Sequence, residues 1–585
     1  MIKVKSKVVL KLIEKFFYEK SMELLNGKTI DTNRLKLNNP LSTVRELVEV
    51  CDDLVAGKLK NVDYAKSLSL ECIKVLGREH YLKGTTISID YFIKLLKNLK
   101  KEDYLKIVHA GNIIIEENKN YVVTLFAEIK SKISIDREKP SLDYEEMRVF
   151  SRLVEYLYVE INYLGFSKFY INRFVSAIFS GIEDKTFDER FEILESLSER
   201  EDEVFEVIFG LDTTKFDKTK VRFFSNELEI VGKATKGRIS NSTKGRVDNF
   251  FENHEDHILL IIKVETKDYY QALNDARKRF LKILDVLYLG HSDRNLSLTS
   301  ECFIVGSKQP EKSSTLPTMY QIDGYYRSNS KVYKGLLDKI SKLNQSDIPE
   351  ETITKINSGI RYLRMGGRSG ELINKFVNYW IGLEYIFSTY DASTYTVGRL
   401  REYFKRCHAS IYLKRNVLDF HRDIKRLKQH RNVPSYDDNL EYLIDSATYE
   451  YIIQNSDSPL LVFRAEYYKS LLDDPNKVRG ALENHQKNLE WNLTRIYRIR
   501  NEIVHNAAIK EDIAVLTSHL RYYLTFIINS LIDFFLNHPK DVNNDKKVDI
   551  DDYFLLQDLK LSSLENADIK FKDLIEIENP MELII

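Results

Sequence analysis

Proline and glycine are scarce in this sequence, which holds only 10 prolines and 22 glycines in 585 residues. Both residue types interrupt regular secondary structure, so their scarcity argues against a turn-rich β architecture and favours long helices. Pro40 and Pro140, the prolines of the first 200 residues, lie between stretches with helical periodicity. They therefore mark connections between helices.

Cysteine is rare as well, and no two of the 4 cysteines form a CxxC pair. The wide separation gives no sign of a cysteine-based zinc site or of a disulfide framework. A few scattered thiols are typical of a reducing compartment, so we expect a cytoplasmic protein. The four residues are Cys51, Cys72, Cys302 and Cys407.

A long apolar run is also missing. A membrane-spanning helix needs about 18 consecutive apolar residues, and the sequence contains no such stretch. The N-terminal segment "MIKVKSKVVLKLIEKFF" alternates lysine with apolar residues and lacks the apolar block of a signal peptide. We therefore expect no contact with a membrane.

Neither sign of charge is in excess, because 88 basic residues balance 88 acidic residues. The whole molecule would not attract nucleic acid by its net charge, so any binding surface must be local.

Helical periodicity is present over most of the chain. "TVRELVEVCDDLVAGKL" and "DYEEMRVFSRLVEYLYVEINYLGF" carry apolar residues at i, i+3 or i+4 and i+7. We predict a mainly α protein with an N-terminal helical domain, a small central α+β domain and a C-terminal helical bundle. The predicted segments are a helical scaffold or sensor domain over 1–200, an α+β domain over 201–308, a linker region over 309–350, a helical domain over 351–540 and an acidic tail over 541–585.

The central segment has β-branched runs, "HILLIIKVET" and "SECFIVGS", on either side of the amphipathic "DYYQALNDARKRFLKILDVLYLG". This order predicts strand, helix and strand. A Gly/Ser/Lys-rich stretch, "VGKATKGRISNSTKGRVDNF", lacks the residue order of a P-loop, and a solvated hairpin loop is expected there. Glu265 and Lys267 at a strand end are ordinary surface residues in this interpretation, so the segment shows no nuclease motif.

Positive charge is concentrated in residues 399–431, which contain eleven Lys or Arg and only three Asp or Glu. The aromatic residues of this stretch are Tyr403, Phe404, Tyr412 and Phe420. Basic residues interleaved with rings suit a surface that follows a nucleic-acid backbone, although charged runs also form solvated helix faces.

"YRIRNEIVHN", residues 497–506, brings Arg500, Asn501 and His505 into one helical run. Asn501 and His505 are four residues apart and share a helix face, and the long Arg500 side chain can reach the same edge. Histidine can donate or accept a proton near neutral pH, and arginine grips phosphate. The three residue types fit RNA cleavage without a metal. The structural alternative is an exposed helix on which the histidine has its hydrogen-bond partners and no role in catalysis.

Several other Arg and His pairs have a similar spacing, so the pattern alone is weakly specific. They are Arg401 with His408, Arg415 with His421, and Arg479 with His485.

The run Arg500-Asn501-Glu502-Ile503-Val504-His505 resembles the signature of the HEPN superfamily of all-helical ribonucleases, which is Arg, a polar residue that is often Asn, three more residues and His. Upstream, "LINKFVNYWIGLEYIF" at 372–387 resembles the first long helix of Apea-like HEPN domains. Downstream, "LTSHLRYYLTFIINSLIDFF" resembles the helix that follows the signature. The resemblance covers residues 360–537, about a third of the chain.

The resemblance implies a HEPN-like helical bundle over 351–540 and a metal-independent endoribonuclease that works as a homodimer or higher even oligomer. His505 would be the general acid or base, Arg500 the transition-state stabiliser and Asn501 the orienting residue, with no cofactor required for catalysis. Such enzymes cut RNA, often tRNA, in abortive infection, so the N-terminal residues would sense a phage-derived trigger. Glu384 is expected either beside the site or in a structural role.

The alternative is a non-catalytic HEPN-like helical module in a binding or scaffold protein. HEPN domains can lose catalysis, and the intact trio favours the enzyme.

"DVNNDKKVDIDD" is a candidate Ca²⁺ loop because oxygen ligands occupy positions 1, 3, 5, 9 and 12. Lys546 stands where such loops have Gly, and the last ligand is Asp instead of Glu; an acidic loop that caps the next helix is the alternative. The candidate ligands are Asp541, Asn543, Asp545, Asp549 and Asp552, with the Lys547 carbonyl.

The tail after residue 540 holds twelve acidic residues against five lysines, so we hypothesise that it covers the basic segment 399–431.

Overall fold

The computed structural model describes residues 10–78, 80–181, 184–212, 228–290, 297–319, 322–324, 330–345, 348–388, 396–437, 440–506, 513–537, 548–566 and 570–575. The described chain is mainly α-helical with one small antiparallel sheet, so the predicted fold class is confirmed. It forms two compact units, one built from residues 1–159 and 322–585 and the other from 160–321.

The first unit combines N-terminal and C-terminal helices. Its N-terminal helices are α1 Leu12–Leu25, α2 Pro40–Val55, α3 Asp63–Leu76, α4 Ile89–Lys97, α5 Tyr104–Glu117, α6 Tyr121–Asp136 and most of α7 Tyr144–Tyr163.

Local sequence explains where α2 begins. At α2, the Asn39 side chain accepts a hydrogen bond from the Ser42 backbone at 2.8 Å, and Pro40 occupies the first helical position. Both features favour a helix start, because the cap satisfies an unpaired N–H and proline has none. The helix then buries one face, including Val44 and Leu47, against its neighbours.

The C-terminal helices of the same unit carry the candidate site. They are numbered in chain order, after five helices of the second unit: α13 Ser330–Asn344, α14 Glu350–Arg368, α15 Leu372–Phe387, α16 Thr396–Arg426, α17 Ser446–Asn455, α18 Pro459–Asp473, α19 Pro475–Asn506, α20 Ala514–Asn537, α21 Ile550–Asn566 and α22 Phe571–Ile575.

Helices α14, α15 and α20 pack closely against one another. Gly382 on α15 permits this approach, since a Cβ atom there would lie 2.9 Å from Cβ of Tyr362 and 3.0 Å from Leu524. Helix α16 packs along α19, which places the predicted basic segment inside the helical bundle.

The second unit is the α+β part of the chain. Its helices are α8 Lys168–Gly181, α9 Phe187–Glu195, α10 Lys233–Ser242, α11 Asp248–Asn253 and α12 Tyr269–Gly290, and its strands are β1 Glu203–Asp212, β2 Leu228–Ile230, β3 Ile258–Thr266, β4 Ser297–Gly306 and β5 Ser314–Pro317. The antiparallel strand order is β2-β3-β1-β4-β5, with α12 packed on the sheet.

The predicted hairpin loop at 231–250 is wrong, because α10 and the start of α11 occupy this stretch. Ile239, Val247 and Phe250 are buried in a core with residues of β1, β3 and β4. These apolar anchors fix the helices despite a composition rich in Gly, Ser and Lys.

The second unit begins near Glu160, so the predicted boundary at 200 falls inside it. Helices α8 and α12 pack together, which joins the end of the predicted N-terminal segment to the sheet. The predicted linker 309–350 contains the edge strand β5 and helix α13.

The acidic tail lies against the basic segment, since α21 packs on α16 and Arg399 and Arg406 pair with Asp551 and Asp558. Apolar contacts hold it as well: Phe554 stacks between rings of Phe387 at 4.7 Å and Tyr403 at 5.1 Å. Within the described part, the tail is thus a packing element of the bundle, so deleting it would expose apolar surface.

No described helix combines the length and apolar character that crossing a membrane requires.

Candidate functional site

Helix α19 positions the candidate trio near its C-terminal end. Its buried apolar residues Leu482, Leu489, Leu493 and Ile496 follow the spacing of one helix face. Because that face is fixed in the core, the orientation of the last two turns is fixed as well.

Arg500 joins the other two members of the trio. Its Nη1 lies 3.1 Å from Oδ1 of Asn501 and 3.2 Å from Nε2 of His505. A guanidinium only donates hydrogen bonds, so Nε2 of His505 is the acceptor and the ring proton lies on Nδ1. The structure therefore brings together the three residues that the sequence singles out, with His505 exposed to solvent.

Glu384 on α15 completes the surroundings of Arg500. Its Oε2 lies 3.4 Å from Nη2 of Arg500 and accepts a 2.8 Å hydrogen bond from Nε1 of Trp380. Trp380 is buried and stacks on Tyr497 with 5.8 Å between ring centroids. The carboxylate is thus held by Trp380 and in turn orients the guanidinium.

Tyr64, on the N-terminal helix α3, forms a hydrogen bond with Asn501. Nδ2 of Asn501 donates to the phenolic oxygen of Tyr64 at 3.0 Å. Burial raises the pKa of Tyr64 to about 12, although the hydrogen bond from Asn501 lowers it, so the phenol is neutral at physiological pH. Both ends of the Asn501 amide are therefore occupied, one by Arg500 and one by Tyr64.

A buried ion-pair cluster lies just before the trio on α19 and joins this helix to α2 and α3. Arg495 contacts Glu46 at 2.8 Å and Glu71 at 2.7 Å, and Arg498 contacts Glu46 at 2.9 Å. Burial alone would raise the pKa of Glu46, but Arg495 and Arg498 reverse this and lower it to about 2. The pKa of Glu71 is raised because burial outweighs the attraction of Arg495.

The other pairs of similar spacing have a different environment. Nδ1 of His408 lies 2.7 Å from Nε2 of His485 and its Nε2 lies 2.5 Å from the Tyr522 hydroxyl. The His421 ring is buried, with Nδ1 2.9 Å from the hydroxyl of Tyr442. Of these histidines, only His505 lies at an exposed helix end beside its arginine.

The aromatic residues of the basic segment do not form a stacking surface for bases. Phe404 and Phe420 are fully buried, and Tyr412 stacks on His485 with 3.8 Å between ring centroids. Tyr403 stacks on Phe554 of the acidic tail. The expectation that the rings of 399–431 contribute to a nucleic-acid surface is wrong, because the segment packs as α16 and its rings fill the bundle.

The candidate Ca²⁺ loop lies mostly outside the described residues, which exclude Asp541, Asn543 and Asp545. Asp549 caps α21, since its Oδ1 accepts from the backbone of Asp551 at 2.8 Å and Asp552 at 3.1 Å. Oδ2 of Asp552 accepts from the Asp549 backbone at 2.8 Å. For these two residues the geometry is that of a helix cap, and the described chain contains no group of three potential metal ligands.

Sequence reasoning misses Tyr64, Trp380 and the ion-pair cluster. Tyr64 stands 437 positions from Asn501, and nothing in local periodicity links the two. Glu384, for which the sequence leaves open a place beside the site or a structural role, lies beside Arg500. Comparison with protein-family models, curated proteins and solved structures gives no match for this chain.

Proposed function

We propose that the protein is a metal-independent endoribonuclease in which Arg500, Asn501 and His505 form the active site. The observation that carries the proposal is the convergence of the three side chains around one guanidinium, at an exposed helix end. The resemblance to HEPN ribonucleases supports the same assignment.

The chemistry that these groups can supply is attack of a ribose 2′-OH on the adjacent phosphate. His505 takes the hydroxyl proton or gives a proton to the leaving 5′-oxygen. Arg500 stabilises the negative charge that builds up on the phosphorus oxygens. Asn501 orients the guanidinium through its Oδ1.

The contact between Arg500 and His505 suggests how substrate prepares the site. Without phosphate, Nε2 of His505 is occupied by the Nη1 donor of Arg500. A phosphate attracts the guanidinium more strongly than a neutral imidazole does, so its arrival would release Nε2 for proton transfer.

One trio offers one histidine, and a full reaction needs both a base and an acid. A homodimer or higher even oligomer would place two trios at one two-fold interface. The exposed Val504, adjacent to His505, supplies apolar surface at this position. Light scattering of the purified protein tests the oligomeric state.

As the cellular role, we propose an effector of abortive infection in the cytoplasm, held ready by its N-terminal helices until a phage-derived trigger arrives. The contacts of α2 and α3 with α19 support a regulatory role, since Glu46 of α2 pairs with Arg495 and Tyr64 of α3 contacts Asn501 itself. The substrate in this proposal is RNA, and tRNA is the first class of RNA to examine.

The proposal is tested by incubating total bacterial RNA in EDTA with wild type and with His505→Ala. His109→Ala is the matched control, because His109 is an exposed histidine on the N-terminal helix α5. We expect cleavage by wild type and the control only. Equal cleavage by all three would place the chemistry elsewhere, and if none cuts even after addition of extract from phage-infected cells, the scaffold alternative replaces the enzyme.

A further inference from the structure

A groove of about 710 Å³ lies between α3, α16 and α19 within the first unit. Its walls include Lys66 and Lys74 from α3, Arg401 from α16, and Lys487 and Trp491 from α19. The volume is in the range of small-molecule and cofactor sites.

Positive charge in this groove is only partly neutralised. Lys405 pairs with Glu402 at 3.0 Å and Glu490 at 3.5 Å, and Lys66 lies 3.9 Å from Asp63. The three acidic side chains that line the groove, Asp63, Glu402 and Glu490, are all engaged in these ion pairs.

The remaining cations, Lys74, Arg401 and Lys487, form no ion pair within the described part of the chain. Burial, followed by the nearby cations Arg78, Lys487 and Lys36, lowers the pKa of Lys74 to about 8. Like charges held together in this way favour an anionic ligand.

An aromatic wall accompanies the cations. Nζ of Lys74 lies 4.9 Å from the ring centroid of the half-buried Trp491. Lys74 lies over one face of the ring, so a nucleotide unit that enters the groove would meet an aromatic side chain and a phosphate partner together.

The groove and the trio share one face of α19. Lys487, Trp491, Thr494, Asn501 and His505 follow one another at intervals of three, four or seven residues. Consecutive positions at such intervals are separated by roughly 20° to 60° around a helix, and all five lie within an arc of roughly 80°. From Thr494 to Asn501 the helix rises by roughly 10 Å along its axis, and the buried Tyr64 of α3 contacts the end of this stretch.

We infer that this groove binds single-stranded RNA next to the nucleotide that the trio cleaves, with a base against Trp491 and phosphates on Lys74, Arg401 and Lys487. The inference that the bound RNA runs from the groove toward the trio rests on the proposed ribonuclease function. A free nucleotide shares the chemistry of base and phosphate, but the position of the groove along the helix that carries the trio favours RNA.

The test measures binding without cleavage, using full-length protein and a short 2′-O-methyl RNA oligomer, which cannot undergo 2′-OH attack. The chain has 2 tryptophans, and Trp380 is only 1% exposed, so fluorescence quenching reports on Trp491. We expect quenching in wild type and its disappearance in Trp491→Phe. Quenching of the same size in Trp491→Phe would come from Trp380 and would overturn the placement of a base against Trp491.

The charges are tested by Arg401→Gln combined with Lys487→Gln, with Lys477→Gln as the control at an exposed position of α19 outside the groove. We expect the double variant to bind about tenfold more weakly and with a salt slope reduced by about 0.7 for each phosphate that the protein no longer neutralises. Unchanged affinity and slope, or equal weakening by Lys477→Gln, would overturn the inference.

ATP added in place of the oligomer distinguishes the two ligand sources. Tighter binding of ATP than of RNA would overturn the assignment to RNA. RNA binding that depends on the groove, without any cleavage, would support the groove as a binding site and contradict the proposed ribonuclease. RNA cleavage that is unchanged in both groove variants would support the ribonuclease and contradict the groove as its binding site.

Discussion

The side-chain nitrogen of Asn501 donates a hydrogen bond to the phenolic oxygen of Tyr64, 3.0 Å away. A residue of the N-terminal helices thereby holds a residue of the candidate active site, which in turn contacts Arg500. Tyr64 is a positioning residue in this account, because it acts on the guanidinium through Asn501.

Replacing Tyr64 with Phe should lower kcat for RNA cleavage about fivefold, which corresponds to the roughly 1 kcal/mol of one hydrogen bond. KM should stay the same, because Tyr64 does not contact the phosphate in this account. Steady-state kinetics of Tyr64→Phe and of the exposed control Tyr91→Phe provide the measurement. Increased activity in Tyr64→Phe would mean that the N-terminal helices restrain the site instead of positioning it.

Glu384→Gln should reduce kcat several-fold without raising KM. The amide keeps an acceptor for Trp380, but it removes the charge that holds Arg500 at 3.4 Å. A negative charge near the phosphate also disappears, so RNA binding should not weaken. The kcat and KM values of this variant test the prediction, and a raised KM with unchanged kcat would assign Glu384 to RNA binding.

Glu46 and Glu71 should differ in their effect on stability although both contact Arg495. The pKa of Glu46 is lowered, so its ionised form stabilises the fold; the pKa of Glu71 is raised, so its ionised form is disfavoured there. Glu46→Gln should reduce the free energy of unfolding by about 3 kcal/mol and Glu71→Gln by less than about 1 kcal/mol. Urea unfolding at pH 7 measures both, and equal decreases would show that the two carboxylates share the pair evenly.

The buried histidines predict how stability depends on pH. Burial, with Arg415 adding to it, lowers the pKa of His485 to about 3, and burial lowers the pKa of His408 well below its usual value. Both rings stay neutral in the folded chain, whereas the unfolded chain binds protons below about pH 6.5. Their contribution is therefore complete above about pH 6.5 and disappears as the pH falls from there toward about 3.

The expected contribution below about pH 6.5 is roughly 1.4 kcal/mol per pH unit for each buried histidine. Urea midpoints of wild type and of His485→Gln between about pH 5 and pH 7.5 measure it, and wild type should lose stability relative to the variant as the pH falls. The same pH dependence in both proteins would contradict the assignment of the His485 ring as neutral.

Local periodicity predicts the mainly α class, the strands β3 and β4, helix α12, and the helical setting of the trio. The trio's own contacts can be anticipated as well, since Arg500, Asn501 and His505 are neighbours along one helix. Periodicity fails at 231–250, where Ile239 and Val247 anchor helices inside a polar composition. Composition describes a segment on average, whereas a few buried side chains decide its structure.

Contacts between distant segments cannot be predicted from the sequence. The ion pair between Glu46 and Arg495 and the hydrogen bond between Tyr64 and Asn501 depend on which helices meet, and many other residues of the chain have the same chemistry. For the same reason, the basic run 399–431 suggests a binding surface although its rings pack inside the bundle and several of its cations pair with acids.

We propose that the trio cleaves RNA by 2′-OH attack with His505 as the proton-transfer group. This proposal is tested by the chemistry of the fragment ends produced in EDTA by wild type and by His505→Ala. We expect 2′,3′-cyclic phosphate and 5′-OH ends from wild type and no fragments from the variant. Fragments with 5′-phosphate ends, or identical fragments from both proteins, would contradict it.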